Sequence, residues 1–335
     1  MHLRNNSKIY FIQRRVVILL AFFLFSGLLI AQRGEINQSF FNNNLGLYNP
    51  SLIGGIRKMN VNVFSKFGNL ETSQKNYLNG LNFEYSFNRK HNLGLGATNL
   101  RESDWMNTQI FIGYAYKHDF KDKPWSLGVG ANIGFKNISH FNYLIPLAPL
   151  DTSIYSHKNP NQYQVYASIG LVLWWKDRVY FSLSGENIIP YNNYKFDNND
   201  YDKEKGLNNS PSASIAIGTR NAEFGDSIIK KSTIEANLMA AFYFTGIVKY
   251  KVEINFGVNI MNLVTPRIGF RFFNDYFITL GLQGRVYKGL FLSYGYDVTI
   301  NTKTSNIEGK GSHEFGLGYF IPHQVREFQK TKKKK

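Results

Sequence analysis

Alternation of apolar and polar residues over more than ten positions is the feature that most constrains this chain. From Trp125, every second residue is apolar, and the residues between them are polar or glycine. The apolar set is Trp125, Leu127, Val129, Ala131, Ile133 and Phe135, and the polar set is Ser126, Gly128, Gly130, Asn132, Gly134 and Lys136. Because successive side chains of a β-strand point to opposite faces, the pattern predicts a long strand with one apolar face.

The same alternation recurs in two later segments. From Gln162 the apolar set is Tyr163, Val165, Ala167, Ile169, Leu171 and Leu173. From Val248 the apolar residues continue to Ile260, and they alternate with Lys249, Lys251, Glu253, Asn255, Gly257 and Asn259. Tilted strands of about 10 to 14 residues cover the roughly 25 Å apolar band of an outer membrane. Charged residues on the second face fit a wet or hydrogen-bonded barrel interior.

Counting such segments predicts an all-β fold of about fourteen strands. Their expected starts are near 60, 77, 91, 108, 124, 161, 178, 211, 231, 247, 262, 276, 287 and 311. An open sheet edge in lipid would leave backbone groups without partners, so we expect a closed antiparallel transmembrane β-barrel. The long intervals near 138–160, 188–210 and 299–310 suit extracellular loops, and the short intervals suit periplasmic turns.

Residues 1–31 have the layout of a signal peptide. A basic lead ending in Arg14 and Arg15 precedes an apolar run from Val16 to Ile30, and cleavage is expected between Ala31 and Gln32. An uncleaved anchor is the alternative, but the run is shorter than the roughly 20 residues of a membrane-spanning helix. The segment therefore predicts export.

The chain divides into four expected parts: the signal peptide at 1–31, a segment at 32–59, the barrel at 60–320 and a basic tail at 321–335. The segment at 32–59 has Asn-Pro and Gly-Gly punctuation without sustained alternation. We interpret it as a lumen plug or a periplasmic strap, and a disordered leader is the alternative. The lysine run of the tail is interpreted as a solvated segment.

Composition agrees with an all-β chain and argues against nucleic-acid binding. The sequence is 16% aromatic and contains 29 glycines and no cysteine, which excludes disulfides and thiolate metal sites. The net charge is +16, but +4 lies in residues 1–31 and +5 in residues 321–335. The remaining charge is dispersed and forms no basic helix, so no nucleic-acid partner is expected.

The chain shows no constellation that predicts catalysis, a cofactor or a metal. The histidines are scattered and lack the spacing of metal ligands. Glycine-rich stretches around Gly94, Gly96, Gly128, Gly130 and Gly134 lie within alternating strands, so they are interpreted as lumen-facing residues. They would keep the wall thin where a plug or a neighbouring chain comes close.

Two acidic residues and a group of aromatic residues complete the structural predictions. Asp297 and Glu314 could titrate as a pair in the lumen, although a structural hydrogen-bonding role is favoured. Aromatic residues near strand ends could form interfacial girdles. They are Trp174, Trp175, Tyr180, Phe272, Phe273, Tyr276 and Tyr319.

The two ends of the expected mature chain carry motifs of a known family. INQSFFNNNLGLYNPSLIGG, with Asn49, Pro50 and Gly54 as matching residues, resembles the opening Q-Y-M-x-N…N-P-A-Y-A-G motif of the PorP/SprF family of Bacteroidetes outer-membrane proteins. LSYGYDVTINTKTSNIEGKGSHEFGLGYF is similar to the closing Y-S-Y-D…G-S-H-E-I-x-L-x-Y motif. Its matching residues are Tyr294, Tyr296, Asp297, Gly311, Ser312, His313 and Glu314. The sequence departs from the family pattern in two places. The opening motif has Ser51 and Leu52 where Ala and Tyr are usual, and a basic tail follows the closing motif.

The resemblance implies an outer-membrane protein that takes part in type IX secretion or gliding. Its expected partners are outer-membrane lipid, a secreted adhesin or other type IX cargo, and components of the secretion or gliding machinery. The preferred hypothesis is a non-enzymatic barrel that receives or anchors a specific secreted cell-surface protein. The alternative is a porin or a channel for hydrophobic solutes.

Overall fold

The computed structural model describes residues 43–55, 57–68, 76–102, 105–140, 162–188, 191–192, 211–219, 233–245, 247–261, 263–272, 276–301 and 311–322. The expected signal peptide, the basic tail after Pro322 and most of the three long intervals lie outside these residues. A short helix, α1 (Leu45–Tyr48), and a 3-10 helix (Pro50–Leu52) precede the strands. Among the described residues, no helix is both long and apolar enough to cross a membrane.

Fifteen strands follow along the chain. They are β1 (Arg57–Gly68), β2 (Asn76–Ser86), β3 (His91–Glu102), β4 (Trp105–Asp119), β5 (Trp125–His140), β6 (Gln162–Trp175), β7 (Val179–Glu186), β8 (Tyr191–Asn192), β9 (Ser212–Thr219), β10 (Thr233–Thr245), β11 (Ile247–Asn259), β12 (Val264–Phe272), β13 (Tyr276–Tyr287), β14 (Leu290–Asn301) and β15 (Ser312–Pro322).

These strands form one closed antiparallel ring. Each long strand pairs with its neighbours along the chain, β5 pairs with β6, and β1 pairs with β15 to complete the ring. The two-residue β8 pairs with β6 beyond β7, after Asn187 interrupts the strand with a φ of 54°. The predicted barrel of fourteen long strands is therefore confirmed.

All fourteen long strands begin within three residues of their predicted starts. The barrel is nevertheless slightly longer than the expected 60–320. Strand β1 begins at Arg57, which pairs with Pro322, and Met59 pairs with Ile321. Pairing between the first and last strands thus adds residues that the alternation pattern had assigned to the preceding segment and to the tail. Strand lengths also vary more widely than expected, from 8 residues in β7 to 16 in β5.

The connections differ in length between the two ends of the barrel. The short turns 87–90, 120–124, 176–178 and 288–289 lie at the end where β1 begins. The connections that contain the predicted loops leave from the opposite end, after β5, β7 and β14. Connection 220–232 is an exception, because it is long but joins β9 to β10 at the short-turn end. The connections at 103–104, 246 and 273–275 are exceptions of the other kind, because they are short but lie at the opposite end. Short turns face the periplasm in such barrels, so we call the two ends the periplasmic end and the outer end.

The predicted faces of the alternating strands are confirmed. In β5, Leu127, Val129, Ile133 and Phe135 are each more than 40% exposed, whereas Ser126 and Lys136 are buried. Strands β6 and β11 follow the same rule, with Ile169 and Phe256 exposed and Gln164 and Glu253 buried. The exposed apolar residues form a lipid-facing surface, and the polar residues line the interior.

Two of the predicted girdle residues face the interior instead. Trp174 is 1% exposed and Tyr180 is 0% exposed, and their rings pack 5.5 Å apart inside the barrel. Trp174 directly precedes Trp175 in a strand, so the two side chains must point to opposite faces. Trp175 and Tyr319 do lie on the outer face, as predicted. Phe273 lies outside the described residues.

The lipid-facing assignment predicts a strong dependence on depth. Ile169→Lys, near the middle of β6, should cost about 2–4 kcal/mol of unfolding free energy because it places an ammonium in hydrocarbon. Ser139→Lys makes an outward charge near the outer end of β5, and its cost should be about 0–1 kcal/mol. Urea unfolding in lipid vesicles measures both. Equal costs would contradict the assignment.

Candidate functional site

Residues 43–55 lie inside the barrel, and we call them the inner segment. Asn49, Ser51, Leu52 and Ile53 are each at most 3% exposed. The 3-10 helix is in contact with β4, β5, β6 and β7. These 13 residues belong to the predicted plug or strap; residues 32–42 and 56 lie outside the described part, and 57–59 belong to β1.

Asn49 and Pro50, which match the opening motif, build the turn of the inner segment. Asn49 has an extended backbone, and its Oδ1 accepts hydrogen bonds from the Ser51 nitrogen at 2.9 Å and from Ser51 Oγ at 2.7 Å. Pro50 follows as the first residue of the 3-10 helix, where its missing N–H is not needed. Asn49 Nδ2 also donates to the Leu183 carbonyl at 3.2 Å, so one side chain caps the turn and fixes it to β7.

Gly54, the third residue of that motif, anchors the other end of the segment. Its φ is +71°, a conformation that favours glycine, and its nitrogen donates to Glu84 Oε2 at 3.1 Å. Glu84 is 0% exposed and also accepts from Asn82 Nδ2 at 3.0 Å. The start of the segment is held by Asn43 Nδ2, which donates to Gln283 Oε1 at 3.4 Å.

These three attachments are distributed around the ring. Glu84 lies on β2, Leu183 on β7 and Gln283 on β13. Counting the long strands in ring order, the three anchors are separated by five, five and four strands. The inner segment therefore spans the lumen from wall to wall rather than following one side.

Glycines in the wall make room for the inner segment, as predicted for three positions. A Cβ at Gly130 would lie 2.5 Å from the Ser51 nitrogen, and one at Gly94 would lie 2.9 Å from Ile53. One at Gly96 would lie 2.7 Å from Leu47 and closer still to the Phe111 ring of β4. Gly134 makes room for neither a plug nor a neighbouring chain, because the Tyr166 ring from the adjacent strand β6 lies over it. Gly128 mainly accommodates Val172, also from β6.

A second group of buried contacts surrounds Asp297, nearer the outer end. Asp297 forms a salt bridge with Lys66 of β1 and a second with Arg271 Nη1 of β12 at 3.3 Å. Thr279 Oγ1 donates to the same carboxylate at 2.5 Å, and Ser312 Oγ donates at 3.4 Å. The hydrogen-bonding role favoured for Asp297 agrees with these contacts.

The network continues to β11 through Glu253. Arg271 lies 3.5 Å from Glu253, which lies 3.5 Å from Lys251. Glu314 is 1% exposed and lies opposite Gly295 and Lys66 in the sheet register. Within this network, the carboxylate of Asp297 contacts two cations, Lys66 and Arg271.

The closing motif is divided between the two faces of the wall. Asp297 and Glu314 point inward, whereas Tyr294 and His313 point outward, with the Tyr294 hydroxyl 2.9 Å from His313 Nδ1. Tyr296 packs against the same imidazole, with ring centroids 4.8 Å apart. Ser312 is half-buried beside Asp297. The motif therefore supplies both an interior network and an aromatic group on the outer surface.

Gly311 begins the last strand with a φ of +122°. A Cβ there would lie 2.5 Å from the Asp297 carbonyl oxygen, so only glycine fits this close approach. Among the described residues, no group of three His, Asp or Glu side chains could hold a metal ion. Several interior residues were not singled out from the sequence: Lys66, Glu84, Arg271 and Gln283. Leu183 was not singled out either; its carbonyl accepts from Asn49, while its side chain lies on the outer face. A charged residue at an inward position of an alternating strand is the signal that could have found Lys66, Glu84 and Arg271.

The family model described as type IX secretion system membrane protein PorP/SprF matches residues 31–319. The chain belongs to the PorP/SprF family. Together with the closed barrel and its apolar outer face, membership makes this an outer-membrane protein of the type IX secretion system. No curated protein matches the sequence significantly.

Solved barrels are similar to this PorP/SprF protein in outline only. The toluene transporter TbuX of Ralstonia pickettii is 10% identical, with 83% of this chain and 93% of that chain covered and a TM-score of 0.47. The Pseudomonas putida toluene transporter TodX is 9% identical over the same shares, with a TM-score of 0.48. Omp33 of Acinetobacter baumannii is 7% identical, with 81% and 100% covered and a TM-score of 0.41. Such similarities say nothing about what this protein binds.

The close contact between Gly130 and the inner segment predicts that Gly130→Val displaces the turn at Ser51. Because the chain has no cysteine, Ser51→Cys supplies a single thiol in the buried turn. Adding Gly130→Val should displace the turn and raise the rate of maleimide labelling about tenfold or more. Gly284→Val is the matched control, since a Cβ at Gly284 meets nothing within 4 Å. Equal labelling rates in both variants would contradict the close contact of the inner segment with Gly130.

The Asp297 network predicts a large loss of stability when its carboxylate is neutralised. Asp297→Asn leaves Lys66 and Arg271 buried without that charge, and the expected cost is about 3–5 kcal/mol in unfolding free energy. Asp122→Asn makes the same change in an exposed turn and should cost less than about 0.5 kcal/mol. Urea titration of both variants measures the difference. A cost for Asp297→Asn as small as the control would show that the network is not stabilising.

Proposed function

We propose that this barrel receives or anchors a specific secreted cell-surface protein during type IX secretion, and that it is not an enzyme. The proposal is supported by family membership and by an interior that is occupied rather than open. The proposal depends chiefly on one observation: the inner segment spans the lumen between β2, β7 and β13.

Charge inside the barrel supports the same proposal. Lys117 lies 2.6 Å from Asp177, and Arg267 lies 2.7 Å from Glu235. With the Asp297 network, these pairs compensate most of the buried charge that the structure describes. Gly257, which lies between Glu235 and Arg267 in register, lets these side chains meet across β11. A compensated interior has little net field to attract a diffusing ion.

The outer end offers the surface for a protein partner. The connections after β5, β7 and β14 leave there, and long loops on a rigid scaffold commonly carry binding functions. The aromatic group of Tyr294, Tyr296 and His313 lies on the outer wall near the same end. We place contact with the secreted protein at this end, and contact with the secretion machinery follows from the family.

The alternative of an open porin or solute channel is not favoured by the described interior. A diffusion path would have to pass both the inner segment and the charged network around Asp297. Both are made of buried side chains with hydrogen bonds or ion pairs to the wall.

Deletion of the gene tests the proposed function. Cells should remain viable, and one specific surface protein should be lost from the surface or released, because its anchoring partner is missing. Quantitative proteomics of surface-labelled cells measures this, and re-expression of the wild-type chain should restore the protein. An unchanged surface proteome would reject the proposal.

A further inference from the structure

A row of polar side chains crosses the inner wall near the outer end. Gln109 of β4, Lys136 of β5 and Gln164 of β6 lie directly opposite one another in the sheet register, and all occupy inward positions. Lys136 is six residues, or about 20 Å along the strand, from Gly130, where the inner segment touches the wall. We call these three residues, together with Asn107 of β4, the amide site.

Two members of the amide site have buried polar atoms without partners. Gln164 is 1% exposed. Within the described part of the chain, neither its amide nitrogen nor its amide oxygen has a hydrogen-bond partner. Asn107 is 2% exposed, and its Oδ1 also has no partner there. Each such buried group costs about 1–3 kcal/mol, so these side chains do not serve the stability of the barrel. Their arrangement points to a ligand that completes the hydrogen bonds.

Lys136 adds a charged donor to the site. Its ammonium donates to Asn187 Oδ1 at 3.0 Å and lies 4.6 Å from the centre of the Tyr166 ring. An ammonium has three N–H donors, and Asn187 takes one of them. The Glu186 carboxylate interacts electrostatically with this ammonium. The site therefore presents donors and acceptors side by side, with a cation at its centre whose charge a carboxylate partly compensates.

This combination matches the hydrogen-bonding pattern of a polypeptide backbone. A primary amide has an acceptor oxygen next to donor hydrogens, and in an extended strand the N–H and the C=O of one residue point to the same side, so the amide can pair with both. Lys136 can donate to a further carbonyl or to a carboxylate, and Asn107 can accept from a further N–H. Recognition through backbone groups is a common way of holding extended segments.

We propose that the amide site binds an extended polypeptide segment of the secreted partner inside the outer mouth of the barrel. The inference rests on the proposed function and adds to it the place and chemistry of contact. It also requires that the segment enter the mouth from the outer end, because the inner segment occupies the lumen nearer the periplasmic end. Since Gln164 and Asn107 are almost fully buried, the segment must displace the groups that cover them.

The double variant Gln164→Leu with Asn107→Leu tests this site. Both changes remove the amides and keep similar volume, so the barrel should be as stable as the wild type or more stable. The amount of the surface protein identified in the deletion strain should nevertheless fall about tenfold or more. A structural role for the amides would instead lower the unfolding midpoint in urea.

Ser182→Ala is the matched control. Ser182 is another inward residue with a buried oxygen that lacks a partner, but it lies on β7 toward the periplasmic end. Its removal should leave the surface protein at the wild-type level. If the gene deletion removes a surface protein but the folded double variant retains it, the amide site is wrong and the proposed function stands. If the deletion removes none, the proposed function itself fails.

Photochemical cross-linking identifies the class of ligand in cells. Gln109 is half-buried, so the photoreactive residue benzoylphenylalanine can replace it while Gln164 and Asn107 stay intact. Illumination should join the barrel to a second polypeptide, which mass spectrometry identifies, and the same label at Ser182 should not. Cross-links only within the chain, to a saccharide, or to nothing would each overturn the proposal.

Discussion

The structure depends on one constraint: in lipid, every backbone N–H and C=O of a strand must find a partner within the sheet. Pairing of β1 with β15 and of β5 with β6 meets this requirement by closing the ring. Closure also fixes which side chains face inward. The alternating strands then direct their apolar residues to lipid and their polar residues into a confined interior, where these must also find partners.

The interior meets that second requirement in two ways. Near the periplasmic end, the inner segment supplies carbonyl, amide and apolar partners, and glycines such as Gly130 allow its backbone to approach the wall. Nearer the outer end, charged side chains neutralise one another around Asp297. The amide site is one of several places where the described interior leaves buried polar atoms without partners. We propose that a barrel filled in this way holds a partner at its mouth and does not conduct solutes.

Much of this fold could be predicted because alternation and strand length are local properties of the sequence. The faces of β5, β6 and β11 and the strand count follow from them. The partners of Asp297 could not be predicted, since Lys66 is brought near only when β15 pairs with both β1 and β14. Trp174 lies near a strand end, which is typical of girdle residues, but its register directs the side chain into the barrel. The prediction for Trp174 was therefore wrong. The anchors at Leu183 and Gln283 depend on how the inner segment crosses the closed ring, which no local pattern encodes.

Electrical recording from the purified barrel in planar bilayers tests the central claim of an occupied, non-conducting interior most directly. The wild-type protein should show no steady conductance across a range of voltages, because the inner segment and the network around Asp297 occupy the described interior. A steady open-pore current from the intact barrel would contradict the account and favour a channel.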